Sequence, residues 1–338
     1  MKKNTKKKKT PHRILRLDQI SHQKLMRLDR EHTAVVATIS PLEVHGPHLP
    51  LGQDIFEAFT LVEHTVEKLA RLHTEWTFLL LPPIPVATDC LPKMGSVNYP
   101  VSLVRDLSFY TLRPFAQNGF ARLAYASFHG GPRHMTALED AAARLTEKYD
   151  VPAISLFSVA LARMSEGGIF FDAIKNHPPR KISMEQLRLD HHAGMVETSM
   201  GLHLWPELVE DEWETLPAAV AEPENPDRKT NSSYLFGYSD PGQLVDKIVR
   251  AGATVGAIAR AVAHFKTNTY FGYPAYASAR QGRMIFDHLV EECVTIVTDF
   301  IAGGKEMECH SPLWKYRHVL LNAPLNNVLE NQLKLYSD

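Results

Sequence analysis

The stretch Ala34-Val-Val-Ala-Thr-Ile39 is a short apolar run rich in β-branched residues, which is typical of a buried strand. A loop follows at residues 40–53, and apolar residues then recur at helical spacing over residues 54–72. The pattern therefore predicts a strand, a long loop and a helix. This unit decides the fold class, because a strand followed by a covering helix is the repeating element of parallel α/β sheets.

The same alternation continues through the first half of the chain. We predict strands at residues 77–81, 122–128 and 152–157, a helix from the N-cap Ser102 to near Gly119, and a helix at residues 133–149. Four strands that alternate with three helices predict an α/β fold, with helices on both faces of a mostly parallel sheet. Such sheets bind ligands beyond the carboxyl ends of their strands, so polar clusters there mark the candidate site.

The length and composition indicate one globular domain. Of the 338 residues, 44% are hydrophobic and 22% are charged, a balance that allows a large buried core. We predict a single domain over residues 13–338, with insertions near residues 160–189 and 218–242. Glycine and proline interrupt the first of these segments, and the second is rich in Pro, Glu, Asn, Asp and Ser.

Charge and cysteine content narrow the functional classes. Lys and Arg number 37 against 38 Asp and Glu, so no overall positive charge favours nucleic acid or a membrane surface as a partner. Six of the first nine residues are lysine, and we predict a disordered basic tail over residues 1–12. No apolar stretch reaches the ~20 residues of a spanning helix, and residues 10–30 lack the apolar core of a signal peptide. Together with three widely spaced cysteines, this predicts a cytoplasmic protein.

The first polar cluster follows the strand at residues 34–39 and reads Pro41-Leu-Glu-Val-His-Gly-Pro-His-Leu-Pro-Leu-Gly-Gln-Asp54. Glu43 and His45 are two residues apart, so in an extended backbone their side chains project to one side. The Gly- and Pro-rich loop could return Asp54 to the same point, where three metal ligands would converge. Taken singly, each residue is better explained as a helix cap or a solvated loop side chain, and only the combination favours a metal site.

The second cluster, Ser127-Phe-His-Gly-Gly-Pro-Arg-His134, lies at the end of the strand predicted for residues 122–128. His129 is a candidate fourth ligand, and the two glycines allow close approach of the backbone to a ligand. A single histidine after a strand is more often an ordinary hydrogen-bonded loop residue. His134 is predicted to lie at the surface.

The third cluster reads Asp190-His-His-Ala-Gly-Met-Val-Glu-Thr-Ser199 and opens a helical stretch. On one regular helix His192 and Glu197 would point roughly 140° apart, so they can meet only if His192 precedes the helix. Gly194 permits such a boundary. A glutamate in the first turn is also favoured by the helix dipole without any catalytic role.

These segments together resemble the signature of the creatininase family. The likeness is carried by Glu-x-His-Gly-Pro-His-Leu-Pro-Leu at residues 43–51, by Asp54, by His-Gly-Gly at 129–131 and by His-Ala-Gly-x-x-Glu-Thr-Ser at 192–199. The segment Gly-Tyr-Pro-Ala-Tyr-Ala-Ser-Ala-Arg-Gln-Gly at residues 272–282 resembles a further piece of the family pattern. The resemblance implies a three-layer α/β/α sandwich, usually in a homo-oligomer such as a hexamer. It also implies hydrolysis of C–N bonds in small cyclic amides, formamides or short peptides.

The resemblance implies a role for each residue of the pattern. Asp54 matches a carboxylate that bridges two metals. Glu43 and His129 match ligands of one metal, and His45 matches a ligand of the other. The resemblance thus implies two divalent ions, with zinc preferred and manganese or iron as alternatives. The implied metal ligands are Glu43, His45, Asp54, His129 and Glu197. The implied catalytic pair is His192 and Glu197.

The sequence departs from the family pattern at two positions. Creatininase has a ligating glutamate two residues after the histidine at position 129, where this chain has Gly131. Glu197 is therefore predicted to complete the second metal site. The departure at Gly131 argues against creatinine as the substrate. Many relatives carry asparagine where this chain has Pro132, whose side chain cannot hydrogen-bond a substrate, and this departure indicates a changed specificity.

The residue types indicate how such a site would work. Two divalent cations lower the pKa of bound water from about 15.7 to about 7, which supplies a nucleophile at neutral pH. His192, with an ordinary pKa of about 6.5, could then protonate the leaving nitrogen. The same electrophile could instead open a keto-sugar or cyclitol ring, and a non-catalytic homologue that only binds metal is a further alternative. Substrate profiling separates these functions.

Overall fold

The computed structural model of the chain describes residues 13–162, 173, 183–187, 189–220, 263–303, 310–322, 324 and 326. The predicted basic tail at residues 1–12 lies outside these residues. Most of the predicted insertions at residues 160–189 and 218–242 lie outside them as well.

A parallel sheet lies at the centre of the described residues. Its strands are β1 (Ile14–Arg16), β2 (Thr33–Ser40), β3 (Thr77–Leu80), β4 (Ile84–Pro85), β5 (Arg122–Ala126) and β6 (Ala153–Ser155). The strand order is β1-β3-β2-β5-β6, and the short β4 pairs with the carboxyl end of β2. All pairings of these strands are parallel, so the predicted α/β fold with a mostly parallel sheet is confirmed.

The described helices follow the predicted alternation with shifted ends. They are α1 (His22–Met26), α2 (Gln53–Leu72), α3 (Val101–Gln117), α4 (Pro132–Tyr149), α5 (Leu156–Ala162), α6 (Met184–Leu187), α7 (Met195–Leu204), α8 (Ala279–Gly303) and α9 (Arg317–Leu320). The predicted N-cap at Ser102 is wrong, because α3 begins at Val101 directly after Pro100. Proline presets its φ and needs no N–H partner, so the helix starts there without a side-chain cap. Among the described residues, no helix is long and apolar enough to cross a membrane.

Alternation along β2 creates a hydrophobic core on each face of the sheet. Ala34 and Val36 pack in a cluster with apolar residues of α2, α7 and α8, whereas Val35, Ala37 and Ile39 pack in a second cluster with α3 and α4. Successive side chains of a strand point to opposite faces, and all eight residues of β2 are buried. The sheet therefore lies between two helical layers, which is the three-layer α/β/α arrangement.

The parallel register places the first two polar clusters side by side. β2 and β5 are neighbours, with Thr38 opposite Ala126 near their carboxyl ends. The loops that carry Glu43 and His129 leave these two strands at the same edge of the sheet. The backbone topology thus brings two segments far apart in sequence to one crevice.

A glycine sets the contact between α7 and α8. A Cβ placed on Gly282 would lie 1.8 Å from the carbonyl oxygen of Ser199, a backbone atom that no change of rotamer can move. Gly282 closes the segment at residues 272–282, so this part of the family pattern is explained by the close approach of two helices.

Gly282→Ala is expected to lower the free energy of unfolding by about 2 kcal/mol or more, because overpacking against backbone forces the two helices apart. Gly303→Ala at the end of the same helix is the matched control, since a Cβ there would meet no atom of the described residues outside its own helix within 4 Å. Urea unfolding of both variants measures the difference. Equal midpoints for the two variants would show that the contact at Gly282 tolerates a side chain.

Candidate metal centre

The three predicted polar clusters meet at the edge of the sheet where β2 and β5 end. Glu43 and His45 follow β2, Asp54 is the second residue of α2, and His129 follows β5. Glu43, His45 and Asp54 are 2%, 1% and 2% exposed, and His129 is 6% exposed. Glu197 joins them from the first turn of α7. Burial of so many titratable groups is costly unless their charges compensate one another or are compensated by an ion.

Two groups of donor atoms share Asp54. On one side, His129 Nδ1 lies 3.0 Å from Glu43 Oε2 and 3.2 Å from Asp54 Oδ2. On the other side, His45 Nε2 lies 3.2 Å from Asp54 Oδ1 and 3.8 Å from Glu197 Oε2. Asp54 therefore presents one carboxylate oxygen to each group. We refer to these as the His129 group (His129, Glu43, Asp54) and the His45 group (His45, Asp54, Glu197).

The distances from His129 Nδ1 to the Glu43 and Asp54 oxygens fit ligands of one divalent cation. Ligand atoms about 2.1 Å from one ion lie about 3.0 Å apart in octahedral geometry and about 3.4 Å apart in tetrahedral geometry. Glu43 Oε2 and Asp54 Oδ2 are buried and make no hydrogen bond within the described part of the chain. A single ring N–H cannot point at both oxygens. An ion between the three donor atoms would satisfy both, so the residues present fit a metal.

Backbone carbonyls fix which ring nitrogen faces the carboxylates. His45 Nδ1 lies 3.0 Å from the Glu43 carbonyl oxygen, and His129 Nε2 lies 3.0 Å from the Thr88 carbonyl oxygen. A carbonyl oxygen only accepts, so each of these ring nitrogens carries a proton. The opposite nitrogen of each neutral ring has a lone pair that faces the carboxylates. This is the usual orientation of histidines that bind metals.

The electrostatics of the two groups indicate a pocket that attracts positive charge. Burial alone would lower the pKa of His45 and His129, but the neighbouring carboxylates outweigh it and hold both pKa values well above the ordinary range. Burial alone would raise the pKa of Asp54, yet the charged rings of His45 and His129 hold it well below its usual value. Without metal, protonated imidazoles thus balance the carboxylates. Bound cations would replace that balance and leave the imidazoles neutral.

His192 precedes α7, which begins at Met195, and its side chain can therefore lie on the same side as the Glu197 carboxylate. Its backbone forms an antiparallel bridge with Phe271, and its ring Nε2 donates to the Val44 carbonyl oxygen at 2.8 Å. The ring centroids of His192 and His45 are 4.2 Å apart, and a ring nitrogen of His192 lies within 4.8 Å of donor atoms of Glu43 and His45. Burial and the charge of His45 lower the pKa of His192 to about 4. The ring is therefore neutral at pH 7, with the lone pair on Nδ1.

The segment at residues 272–282 supports the third cluster. The Asp190 carboxylate accepts hydrogen bonds from the backbone N–H groups of Met195 and Val196 at 2.7 and 2.9 Å, and from that of Tyr273 at 2.9 Å. Asp190 thereby joins the first turn of α7 to the segment that directly follows Phe271, the residue that pairs with His192. This part of the family pattern holds His192 and Glu197 in place.

His134 was predicted to lie at the surface, and that prediction is wrong. It is fully buried in the first turn of α4, and its Nε2 lies 3.0 Å from Ser127 Oγ. Burial and the charge of His129 lower the pKa of His134 to about 3, so the ring is neutral. A signal was present, because Ala137, Leu138 and Ala141 follow at helical spacing on the same buried face.

Glu57 and Cys90 are buried beside the centre and were not predicted. Glu57 lies one turn after Asp54 on the buried face of α2, which is the signal that could have found it. Gln53 Nε2 donates to Glu57 Oε1 at 2.7 Å, while Oε2 makes no hydrogen bond within the described residues. Burial, followed by the charges of Glu197 and Asp54, raises the pKa of Glu57 well above its usual value.

Glu57→Gln is expected to change the pH dependence of stability in metal-free protein. A raised folded-state pKa means that Glu57 contributes stability that is fully present below pH 4.5, its ordinary pKa, and is lost as the pH rises through the folded-state pKa. Glutamine keeps the acceptor for Gln53 and cannot ionise. The variant should therefore gain stability relative to wild type between pH 5 and pH 8.

Urea unfolding with a chelator at several pH values measures this gain. Glu67→Gln, at an exposed position on the same helix, is the control and should show no such trend. A difference between Glu57→Gln and wild type that does not vary with pH would contradict the raised pKa.

Comparison with solved structures supports the fold. A protein described as a creatinine amidohydrolase from Bacteroides fragilis is 17% identical, with a TM-score of 0.57 over 87% of this chain and 98% of its own. A creatininase is 14% identical, with a TM-score of 0.56 over 85% of this chain and 98% of its own. At these identities the likeness shows the fold alone. No protein of curated function matches the chain by sequence.

The family follows from the sequence match over most of the chain. The creatininase family model, described as creatinine amidohydrolase, matches residues 18–297. This range includes the first, second and third polar clusters and the segment at residues 272–282. The chain therefore belongs to the creatininase family.

Proposed function

We propose that the chain is a metal-dependent amidohydrolase that cleaves a C–N bond of a small cyclic amide, a formamide or a short peptide. The observation that carries the proposal is the division of the Asp54 carboxylate, with Oδ2 at the His129 group and Oδ1 at the His45 group. Membership of a family described as creatinine amidohydrolase supports the reaction class.

The proposed ligands of one ion are Glu43, Asp54 and His129, and those of the other are His45, Asp54 and Glu197. Mixed carboxylate and imidazole donors accept zinc, manganese or iron. Creatininase structures similar in fold to this chain are described as a Mn form and as a Zn-Zn type. When bound, two such ions supply Lewis acidity that polarises the scissile carbonyl and acidifies the attacking water.

His192 is proposed to move the proton between water and the leaving nitrogen. Because its pKa is lowered to about 4, the ring rests in the neutral form and must first receive the proton that it later donates. Nδ1 is the atom that accepts it, since Nε2 already donates to the Val44 carbonyl oxygen. That hydrogen bond also holds the ring in one orientation and stabilises the protonated form. An amide nitrogen leaves poorly as an anion, so delivery of this proton assists bond cleavage.

Glu197 is proposed to serve both as a ligand and as a second proton acceptor. Burial raises its pKa to about 7, with His45 opposing the shift and Asp54 adding to it. Its Oε2 accepts a hydrogen bond from the backbone N–H of Ala193, directly after His192. In metal-free protein the carboxyl group therefore titrates near neutral pH, and a bound ion would hold it as the carboxylate, the form that can accept a proton from water or substrate.

The experiment that tests the function is hydrolysis by metal-reconstituted protein of a panel of lactams, cyclic ureides, formamides and dipeptides. Creatinine and creatine belong in the panel, since a solved creatininase variant is described in complex with creatine. We expect ring opening of a cyclic amide, or release of an amine or ammonia from a linear one. This activity should be lost after chelation and restored by zinc or manganese. Protein that binds metal but hydrolyses no amide would contradict the proposal, as would cleavage confined to keto-sugar or cyclitol rings.

A further inference from the structure

Cys90 is a buried cysteine that lies against the His129 group. It belongs to the loop between β4 and α3 and is 1% exposed. Its Sγ, a carboxylate oxygen of Glu43 and a ring nitrogen of His129 all lie within 4.8 Å of one another. The thiol otherwise contacts the Val97 carbonyl oxygen at 3.7 Å. The family pattern and the proposed reaction leave this sulfur without a role.

The loop that carries Cys90 holds both neighbouring ligands. The Thr88 carbonyl accepts a hydrogen bond from His129 Nε2 at 3.0 Å, and the Leu91 N–H donates to Glu43 Oε1 at 2.6 Å. Asn98 fixes Cys90 itself, because its side chain bonds both the N–H and the carbonyl of Cys90, at 2.8 and 2.7 Å. Cys90 is therefore held rigidly between two residues that contact the proposed ligands.

The loop also fills the space beside Gly131, the position where creatininase has a ligating glutamate. A Cβ on Gly131 would lie 2.5 Å from His129 Nε2 and 2.7 Å from Asp89 Cβ. The Asp89 carboxylate is anchored there by the backbone N–H of Arg133 at 2.7 Å. A side chain at position 131 would meet Asp89 and the His129 ring, so the loop that carries Cys90 occupies the space next to His129.

We propose that Cys90 Sγ, as a thiolate, is a ligand of the ion held by Glu43, Asp54 and His129. This inference rests on the metal centre of the proposed function. It is supported by Glu43, whose buried Oε2 makes no hydrogen bond within the described residues and one of whose carboxylate oxygens lies within 4.8 Å of Sγ. On metal binding the thiol loses its proton to solvent and its contact with the Val97 carbonyl oxygen.

Two consequences distinguish this ligand set from one of carboxylates and imidazole alone. A thiolate is a soft donor, so the His129 site selects zinc over manganese. Cys90 also gives the His129 site four protein donors, which is the number found in closed zinc sites. The open coordination position for water then belongs to the ion of the His45 group. This group lies beside the proposed proton carrier, because the ring centroids of His45 and His192 are 4.2 Å apart.

Cobalt substitution tests the proposal, because Co(II) bound by a thiolate absorbs in the near ultraviolet through sulfur-to-metal charge transfer. Cobalt-loaded wild-type protein is expected to show this absorption, and Cys90→Ser is expected to lose it while still binding cobalt. Cys293→Ser and Cys309→Ser are the matched controls and should retain it. The ratio of zinc to manganese affinity should also fall by about 10-fold or more in Cys90→Ser.

X-ray absorption of zinc-loaded wild-type protein provides a measurement that needs no variant, with one sulfur per two zinc ions expected about 2.3 Å from zinc. Metal bound without sulfur coordination, or absorption that persists in Cys90→Ser, would overturn the role of Cys90 and leave the proposed amidohydrolase intact. Failure of wild-type protein to bind cobalt or zinc at all would overturn both proposals.

Discussion

Asp54→Ala is expected to remove both metal ions from the purified protein, whereas Glu43→Ala should weaken the His129 site more than the His45 site. The reason is geometric, because the two oxygens of Asp54 lie 3.2 Å from His129 Nδ1 and 3.2 Å from His45 Nε2. Glu43 Oε2, in contrast, lies 3.0 Å from His129 Nδ1 and belongs to the His129 group alone. Amidase activity should fall roughly 10³-fold or more, since metal stabilisation of a transition state is worth several kcal/mol.

Metal analysis by mass spectrometry, paired with activity, measures the effect. Asp54→Asn separates metal loss from misfolding, because asparagine keeps the volume and one acceptor oxygen but not the charge. Glu67→Ala, at an exposed position on the same helix, is the control and should keep wild-type metal content. A wild-type metal content in Asp54→Ala would show that Asp54 is only an acidic residue in the first turn of a helix.

The fold could be predicted because its central features depend on local pattern. The β-branched run at residues 34–39 forms the fully buried β2, and the helical spacing after residue 53 forms α2. Parallel strand order then brings Glu43 and His129 to one edge without any further information. The ends of elements were less predictable, as Ser102 shows, because Pro100 and a side-chain cap are alternative ways to start a helix.

The polar residues around the centre could be predicted only where they belong to a recognisable motif. Glu57 and His134 lie on buried helix faces, but a carboxyl or imidazole group at such a position is usually solvated, so periodicity alone gives them no special weight. Cys90 comes from a loop whose position depends on the space beside Gly131, and that is a tertiary property. Sequence therefore predicted the polar residues of the candidate site that share a motif, and the structure was needed for those that reach it from other elements.

His192→Ala is expected to keep its metal and to lose roughly 10² to 10⁴ in kcat, the usual contribution of a positioned proton donor. His45 and His129 already supply the imidazole donors of the two groups, and Nε2 of His192 is directed at the Val44 carbonyl oxygen. The role assigned to His192 is therefore kinetic. Because the pKa of His192 is about 4 in metal-free protein, its ring is neutral and Nδ1 accepts a proton. His192 can therefore protonate the leaving nitrogen only after it has taken a proton from water.

Dependence on the leaving group distinguishes this role from the others open to His192. A good leaving group needs little help from an acid, so the loss in His192→Ala should shrink for an activated anilide or ester compared with the natural amide, provided that bond cleavage limits the rate. His191→Ala is the matched control, because its ring packs against Phe271, 5.0 Å away, and it belongs to neither donor group. That variant should keep both metal and kcat.

A metal-free His192→Ala would place His192 among the ligands, where it lies within reach of Glu43 and His45 donor atoms. An equal loss on both substrates would instead assign it to substrate positioning, since an interaction that only orients the amide carbonyl is insensitive to how well the nitrogen leaves.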